Sequence, residues 1–508
     1  MHPDLRHLLS HNDPPTDGQI REVETLLDLG RKELSQLDDT ILKLSLVLSE
    51  LRSQKRRRVN SLSALKRVLA PIRRVPPEVL GEIFQWCCKM NWTAQSRSIT
   101  NVRAPPLLLG HVSSLWRSVS QNTPRLWDYV CLLDDATVTE RLLPFIRVLV
   151  ERSGALPLTM ELSTPHGDNR LNLAPIFEFH TRLEQMHLYL VCSRDLPTLT
   201  VETRRFPILK SLTVETTVAT DETEFDEKDP GLADILSAFQ DAPCLQMIDL
   251  YSDYISSDIS ASLFPWSQLI SLTLDMPIDA LVARNILRRC TGLETCSFES
   301  INCLEIEHAS PPSTLTILHS LDFSGTGGPS PAFVHSFTLP ALQRLFVNDV
   351  HWEGPTFLQL LSRSQFKLES LMFNTLPISC DDLISFLRLL PTLQTLYLAK
   401  CDGVTDSLFR AFTYIPGSRP SIAMPDLRRV TINGFANDLD GTVVADMVES
   451  LSAHRGDKQA PFPAINLVAL CLRGAKFAAE VEHRLKHAAR APTFLVDKPP
   501  RRGERRTN

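Results

Sequence analysis

Cysteine and histidine are the side chains of this 508-residue chain with the widest scope for nucleophilic or metal chemistry. The 11 cysteines are scattered and never form a C-x-x-C pair, which argues against a zinc site and a disulfide framework. The 14 histidines form no metal-spaced cluster, and the chain contains no H-E-x-x-H, G-x-x-x-x-G-K-[ST] or G-x-S-x-G motif. The sequence therefore predicts no catalytic residue, no metal site and no cofactor. An enzyme would need a site assembled from residues far apart in the chain.

The overall charge gives no reason to expect a nucleic-acid or membrane partner. Lys and Arg number 53, Asp and Glu number 59, and the formal net charge is −6, so the chain as a whole lacks a basic footprint. No stretch approaches about 18 uncharged apolar residues, the length of a membrane span. Residues 1–12 contain no apolar core of signal-peptide length. We therefore expect a cytoplasmic or nuclear protein.

Two local runs of charge leave alternatives open. Residues 51–74 carry nine Lys and Arg and no acid, whereas residues 220–229 carry six acids. The basic run is consistent with a solvated helix face, with a nuclear-import signal or with an anionic partner. The acidic run is consistent with a solvated loop or with contact to a basic patch on a substrate.

Leucine makes up 79 of the 508 residues, and its first period is the 3.5-residue repeat of a coiled coil. Between residues 20 and 69, twelve of fifteen core positions are apolar, while Lys55 and Arg58 interrupt the seam. The pattern predicts a helix over 18–69 after a flexible segment 1–17, with Thr16 or Asp17 as its cap. Self-association through 20–69 is one interpretation. A hairpin, or a helix folded back on its own chain, is the other.

The segment 71–130 contains three short apolar stripes, which predict a three-helix unit. It opens with P-I-R-R-V-P-P-E-V-L-G-E-I-F-Q-W-C-C, in which Pro76 and Pro77 suit a helix start. About 60 residues cannot bury so much apolar surface alone. The unit therefore either packs as a small bundle on the rest of the chain or binds a partner. The stripes are, in order, Val79/Leu80/Ile83/Phe84/Cys87, Val112/Leu115/Trp116/Val119 and Leu126/Trp127/Val130.

These residues resemble the F-box family. The run from Val75 to Leu80, followed by Ile83 and Phe84, is similar to that family's L-P-x-E-[IL]-L-x-x-I-F opening. Val112 and Trp116-Arg117 are similar to its V-C-x-x-W-R element, and Leu126-Trp127 to its closing L-W. The whole layout also resembles a fungal F-box subfamily with an N-terminal coiled coil. The chain departs from the pattern in Val75 for Leu, in Ser113 for Cys and in about 20 extra residues between the first two helices.

The resemblance implies a docking function rather than catalysis. An F-box binds the Skp-family adaptor, and through it the cullin, of an SCF-type ubiquitin ligase. A second domain then holds a protein substrate near the ubiquitin-loaded enzyme, which raises its effective concentration. The implied adaptor-binding residues are Val75, Pro76, Glu78, Val79, Leu80, Ile83, Phe84, Val112, Trp116, Leu126 and Trp127.

The second leucine period is an L-x-x-L-x-L repeat that occurs eleven times between 183 and 475, mostly at spacings of 24 to 26 residues. With amphipathic pieces between the units, it predicts an α/β leucine-rich-repeat solenoid with parallel strands inside and helices outside. Cap strands are expected in 131–182, and a terminal helix with a disordered basic tail in 476–508. A non-repeating α/β domain is the alternative. The leading residues are Leu183, Leu209, Leu245, Leu269, Leu293, Leu318, Leu342, Leu368, Leu393, Leu427 and Leu467.

Two expectations follow from the repeat. The ninth position usually holds Asn or Cys, and only Cys401 matches here, so we expect irregular curvature. Side chains between the two inward positions should line the concave face, which makes Thr213, Thr273, Tyr397 and Thr431 candidate substrate contacts. The leading interpretation is the substrate-recognition subunit of a ubiquitin ligase. A leucine-rich scaffold that acts without a ligase is the alternative, followed by a hydrolase or transferase hidden in the repeats.

Overall fold

The computed structural model divides the chain into two compact units, Met1–Glu82 and Ile83–Asn508. The boundary falls inside the helix Pro77–Met90. The structure describes residues 12, 14–90, 104–132, 139–163, 176–192, 205–218, 236–252, 259, 264–302, 312–325, 331–416, 421–435, 439–453, 462, 465, 467–473, 480–481, 483–484 and 494–496.

The first unit is dominated by one long helix. Helix α1 (Asp17–Val68) has 52 residues, and none of them is buried. Thr16 is its N-cap, and Gln19 Oε1 accepts a hydrogen bond from the Thr16 backbone N–H at 3.0 Å. The predicted helix is therefore confirmed to within one residue at each end. No helix in the described part of the chain is long and apolar enough to cross a membrane.

Helix α2 (Pro77–Met90) begins where the sequence predicts. Val75 is extended, as expected for a residue before a proline, and Pro77 occupies the first helical turn, where its missing N–H leaves no bond unmade. A single 3-10 turn, Pro71–Arg74, precedes it. Glu78 lies in the first turn, where a carboxylate is favoured by the helix dipole.

The rest of the predicted three-helix unit is different from the prediction. Instead of one second helix there are two short ones, α3 (Pro105–Gly110) and α4 (Ser114–Gln121). Ser113 ends any continuous helix because its Oγ accepts from the Trp116 backbone N–H at 3.2 Å and caps α4. Val112 therefore lies between two helices and not on a shared stripe. The expected third helix is one 3-10 turn, Pro124–Leu126, followed directly by a strand.

In the described part of the chain, fourteen strands of the second unit form one parallel sheet in which the strand order follows the chain order. Two further two-residue strands, β8 (Ser313–Thr314) and β10 (Phe337–Thr338), pair only with each other. The large sheet contains β1 (Tyr129–Leu132), β2 (Leu158–Ser163), β3 (Leu183–Cys192), β4 (Ser211–Val218), β5 (Met247–Ser252), β6 (Ser271–Asp279), β7 (Thr295–Asn302), β9 (Ser320–Gly325), β11 (Arg344–Asn348), β12 (Ser370–Asn374), β13 (Thr395–Ala399), β14 (Arg429–Phe435), β15 (Leu467–Arg473) and β16 (Phe494–Val496). The strands expected near Val130 and Leu158 are β1 and β2.

Helices connect many of these strands, as parallel pairing requires. From α6 onward each helix contacts the next, so the helices form a second layer beside the sheet. The chain is therefore an α/β protein with a long N-terminal helix and a large parallel sheet with helices. The helices of the second unit that follow α4 are α5 (Thr139–Arg152), α6 (Ala280–Arg289), α7 (Pro331–His335), α8 (Gly354–Ser364), α9 (Cys380–Leu387), α10 (Asp406–Phe412) and α11 (Gly441–Ala453).

The strand register aligns the leucine repeats with one another. From β3 to β15 the fourth residues of the repeat lie side by side, the sixth residues likewise, and none of these side chains is more than 4% exposed. The leading leucines from Leu183 to Leu427 are at most 1% exposed. The predicted inward positions are therefore confirmed for ten units.

The eleventh unit was assigned two residues too late. Leu467, Leu470 and Leu472 were expected at positions one, four and six, but Val468 lies opposite Val430 and Leu470 opposite Ile432. The unit therefore starts at Ile465, which is 4% exposed. The error has a simple cause: a shift of two residues keeps every side chain on the same face of a strand, so the leucine pattern alone does not fix the register.

A repeated turn follows three consecutive strands. Asp349, Thr375 and Lys400 come directly after β11, β12 and β13, and each has a left-handed φ of 49 to 51°. Their backbone N–H groups donate to carbonyl oxygens of the next strands, those of Asn374, Ala399 and Asn433, at 2.7 to 3.0 Å. These bonds hold a conformation that non-glycine residues rarely adopt.

Buried Cys401 lies at the ninth repeat position. Its Sγ donates to the carbonyl oxygens of Phe373 and Ala399 at 3.6 and 3.4 Å. Several predictions lie outside the described residues. They are residues 1–11 and 13 of the flexible segment 1–17, the insertion in 91–103, the acidic run 220–229 and the basic tail 497–508.

Candidate functional site

The four predicted substrate contacts lie in one row across the sheet. The fifth residues of the repeat alternate with the two buried positions and point to the opposite face, which we call the open face. Thr213, Thr273, Tyr397 and Thr431 all belong to this row. Thr213 is the least accessible of them at 9% exposure. From β2 to β15 the row is Glu161, His187, Thr213, Asp249, Thr273, Ser297, Asp322, Phe346, Met372, Tyr397, Thr431 and Ala469.

Acidic side chains are concentrated in the part of the open face formed by β4 to β9, which we call the acidic half. The strands β2 to β7 contain no Lys or Arg. These strands therefore carry no Lys or Arg side chain that could neutralise their carboxylates. The carboxylates are Asp249 and Asp322 in the fifth-residue row, with Glu215, Asp275 and Glu299 two residues further along their strands.

This crowding changes the ionisation of the acidic half. Burial, together with the charges of Asp275 and Asp322, raises the pKa of Glu299. Burial raises the pKa of Asp322 even though Arg344 acts in the other direction. The pKa of Tyr251 is raised by burial and by four surrounding carboxylates. Each shift has the sign expected for acids that lose water and face like charges.

A partly buried hydrogen bond borders the acidic half. The Tyr189 hydroxyl donates to Glu161 Oε1 at 3.0 Å, and Glu161 is only 6% exposed. Burial, followed by the charge of Glu161, raises the pKa of Tyr189 to about 12. This tyrosine therefore remains a hydrogen-bond donor throughout the physiological range.

From β11 to β13 the same row becomes apolar, and we call this part the apolar half. Phe346, Met372 and Tyr397 are direct neighbours across these strands, and Met372 is 38% exposed. The row beside them carries an amide ladder. Asn374 Nδ2 donates to Asn348 Oδ1 at 2.7 Å, and Asn348 Nδ2 donates to Ser324 Oγ at 2.8 Å.

The repeat pattern did not predict this ladder, because leucine-rich repeats usually carry their asparagine at the ninth position. It recurs at the seventh, in Asn348, Asn374 and Asn433. The recurrence at this spacing was a usable signal. A side-chain amide both donates and accepts hydrogen bonds, so a row of asparagines can link neighbouring strands across the sheet.

In the first unit, the residues implied as adaptor contacts differ in exposure. Leu80 is fully buried at 0% exposure, whereas Val79 is 48% exposed. Pro76 and Glu78 are exposed, and Val75 is half-buried. Leu80 is therefore a buried residue, and Val79 is a surface residue.

In the second unit, the matched aromatic residues form a framework. The rings of Phe84 and Trp116 lie 4.8 Å apart, and Phe84 is 1% exposed. Trp127 Nε1 donates to the Ser120 carbonyl oxygen at 2.7 Å, and Arg152 lies 4.6 Å over the Trp127 ring. Leu126 is also buried. These residues hold the segment together rather than facing outward.

The surface of the same segment is apolar. Ile83 is 37% exposed and Val112 is 57% exposed. Leu108 at 49% and Leu115 at 45% were not among the predicted contacts but are equally available. Two side-chain hydrogen bonds join α4 to α3: Arg117 Nε donates to the Gly110 carbonyl oxygen at 2.9 Å, and Ser120 Oγ donates to the Pro106 carbonyl oxygen at 3.2 Å.

Three buried cysteines, Cys88, Cys290 and Cys401, do not have the properties of nucleophiles. Burial, with Cys87 and Asp128 nearby, raises the pKa of Cys88 to about 12. Burial also raises the pKa of Cys290 to about 12 and that of Cys401 to about 11. All three therefore remain thiols near neutral pH. Within the described ranges, no group of three His, Cys, Asp or Glu side chains could hold a metal ion.

Comparison with known proteins yields little. No family model matches the chain, and no curated protein matches its sequence. Among solved structures, a crystal structure of a Bacteroides fragilis protein aligns with 60% of this chain and 71% of its own, at 13% sequence identity and a TM-score of 0.31. A likeness this distant carries no inference about fold or function.

Proposed function

We propose that the chain is the substrate-recognition subunit of an SCF-type ubiquitin ligase. In this proposal the segment 71–130 is an F-box that docks onto a Skp-family adaptor. The sheet and its helices are an irregular leucine-rich-repeat solenoid whose open face binds a protein substrate. The chain then acts without catalysis, by holding its substrate at a high effective concentration near the ubiquitin-loaded enzyme.

The observation that carries the proposal is the arrangement of the F-box-like residues. The matched aromatics Phe84, Trp116 and Trp127 are packed inward, while Ile83 and Val112 present apolar side chains to solvent. A small segment that keeps several apolar side chains exposed on a firm framework has the properties of a docking surface.

The solenoid part of the proposal is supported by the repeat register. Ten successive units place the same repeat positions side by side, with strand order equal to chain order. From α6 onward, each helix also contacts the next helix along the chain. In solenoid proteins, similar repeat units stack so that each unit packs against the next.

The open face indicates which substrate segments it would take. Its acidic half offers five carboxylates for Lys or Arg side chains, and its apolar half offers Phe346, Met372 and Tyr397 as anchors. Charge complementarity gives partner selection, and the aromatic and Met side chains supply buried apolar contact. We therefore infer a substrate segment that combines basic residues with a neighbouring apolar side chain.

The adaptor test uses exposed residues, because a charge at buried Leu80 or Phe84 would disrupt folding. We expect Ile83→Asp combined with Val112→Asp to reduce co-purification of a Skp-family adaptor with the full chain by more than about tenfold. Leu281→Asp is a matched control, since Leu281 is 44% exposed on α6. Undiminished capture by the double variant, with an intact circular-dichroism spectrum, would contradict the F-box assignment.

The second candidate is a leucine-rich scaffold that acts without a ubiquitin ligase. The break between α3 and α4 favours it, because Val112 leaves the helical stripe that the F-box pattern implies. If the wild-type chain captures no adaptor but retains a substrate on the open face, the scaffold interpretation holds.

A further inference from the structure

Helix α1 exposes an apolar seam along its whole length. Its 52 residues span about 78 Å, and the apolar side chains of the seam are 37 to 69% exposed. Leu34 and Leu44, near the middle, are 63% and 64% exposed. An isolated helix with this pattern gains little from its own propensity, so an apolar stripe of this length favours pairing with a second helix.

The two halves of α1 have opposite charge. Residues 17–39 contain seven acids and three bases, whereas residues 40–68 contain eight bases and one acid. The net charges are therefore −4 and +7. Ion pairs within the helix, Arg31–Asp28 at 3.3 Å and Arg57–Glu50 at 3.0 Å, are local and leave this asymmetry in place.

A parallel pair of two copies would place like charges together. Lys55 would face Lys55 of the second copy in the seam, and Arg58 would face Arg58. Beside the seam, Glu33 would meet Asp38 of the second copy, because residues five apart approach across a parallel coiled coil. Each of these contacts is repulsive, and no compensating opposite-charge pair arises at the flanking positions.

We propose that α1 pairs with α1 of a second copy in the antiparallel orientation. The register places Val23 opposite Leu69 and Leu44 opposite Leu48, so the seam is covered from Val23 to Leu69. Gly30 then faces Leu62, where the missing side chain leaves room for a leucine. This inference goes beyond the proposed function and does not depend on it.

The antiparallel register also resolves the two seam defects. Lys55 lies opposite Leu37 and Arg58 opposite Leu34, and both bases then stand beside Glu33 and Asp38 of the second copy. A long basic side chain in such a place keeps its stem on the seam and its charge near carboxylates.

Two opposite-charge pairs flank the seam in this register. Glu24 meets Lys66 of the second copy, and Asp38 meets Arg52, so the symmetric dimer contains four such pairs. A shift by one heptad would instead bring Arg31 against Arg52. Charge complementarity thus selects both the orientation and the register.

A double charge exchange tests the pairing in the full chain. By sedimentation equilibrium we expect a dimer for the wild type. Glu24→Lys alone and Lys66→Glu alone should each weaken the dimer about tenfold, because each converts two attractions into repulsions. The combined variant should return to within about threefold of the wild type. The matched control is Glu22→Lys, which lies at an outer position and should change the dissociation constant less than about twofold.

The proposal would be overturned if the combined variant did not recover the wild-type dissociation constant. It would also be overturned if the wild-type chain stayed monomeric at about 100 micromolar. Far-ultraviolet circular dichroism checks that each variant keeps its helix. Positions 24 and 66 are about 63 Å apart along one helix, so recovery cannot arise within a single copy.

Photo-crosslinking distinguishes the orientations directly. With benzoylphenylalanine in place of Leu65, we expect dimer adducts that map to the region of Leu27 in the second copy. Adducts near position 65 of the second copy would show a parallel pair and contradict the antiparallel register. Adducts to a different protein would contradict self-association.

Discussion

The acidic half and the apolar half of the open face are built on the same backbone and present opposite chemistry. Their inner rows are alike, since Leu272 in the acidic half and Leu371 in the apolar half are each at most 1% exposed. Their outer rows differ, with Asp322 and Phe346 as immediate neighbours at the change. The comparison teaches that the inner positions determine the fold, while the outer positions are free to determine what binds.

The largest effect should be common to both halves. Leu272→Ala and Leu371→Ala each leave a cavity in a fully packed row, and we expect each to lower the free energy of unfolding by about 2–5 kcal/mol. Chemical denaturation of the full chain measures both losses. A loss below about 1 kcal/mol in only one half would show that the inner rows are not equivalent.

The next effect should separate the halves. An arginine octapeptide should bind the acidic half, and Asp275→Asn with Glu299→Gln should weaken this binding about tenfold at low salt. Asp426→Asn is a matched control, because Asp426 is an exposed acid in the turn before β14. Fluorescence anisotropy reports the affinity. Equal weakening by the control would indicate general charge attraction rather than binding at the open face.

A smaller effect should appear beside the apolar half. Asn374→Ala removes the bond to Asn348 and should cost about 1 kcal/mol of unfolding free energy. The fold of the sheet should be unchanged, and the octapeptide should bind as before. Denaturation and anisotropy together check both statements. An altered peptide affinity would mean that the two halves are coupled.

The smallest effect concerns pH. Here the removal of an ionisable side chain should raise the stability of the fold rather than lower it. Because the pKa of Asp322 and that of Glu299 are raised in the folded protein, their stabilising contribution is present at low pH and is lost as pH rises through those values. Asp322→Asn should therefore raise the thermal unfolding midpoint by about 1–2 °C at pH 7. The gain should vanish near pH 4, and scanning calorimetry at both values tests it. A midpoint that falls at pH 7 would mean that Asp322 makes a favourable contact.

Much of the fold follows from local periodicity. The 3.5-residue repeat placed the ends of α1 to within one residue, and the 25-residue repeat placed the buried leucines of ten units. These patterns are readable because each inward side chain is fixed by spacing along its own element. The three-helix prediction failed where a single hydrogen bond decided the outcome, since the Ser113 cap separated α3 from α4.

The candidate site was predictable only in part. Thr213, Thr273, Tyr397 and Thr431 could be assigned to one row by their repeat position alone. Their neighbours in that row come from units 24 to 38 residues away, so the acidic and apolar halves appear only once strands are paired. The eleventh unit shows the limit, because a two-residue shift leaves the apolar pattern intact.

The sequence by itself determined the long helix, its apolar seam and opposite end charges, the repeat spacing and the inward leucines, because all of these depend on residues close together in the chain. Only the tertiary structure decided which F-box-like residues are framework and which are surface, as Phe84 and Ile83 show. It also decided that carboxylates from β4 to β9 share one face. Burial and like-charge proximity arise from contacts between distant segments, and no local pattern specifies them.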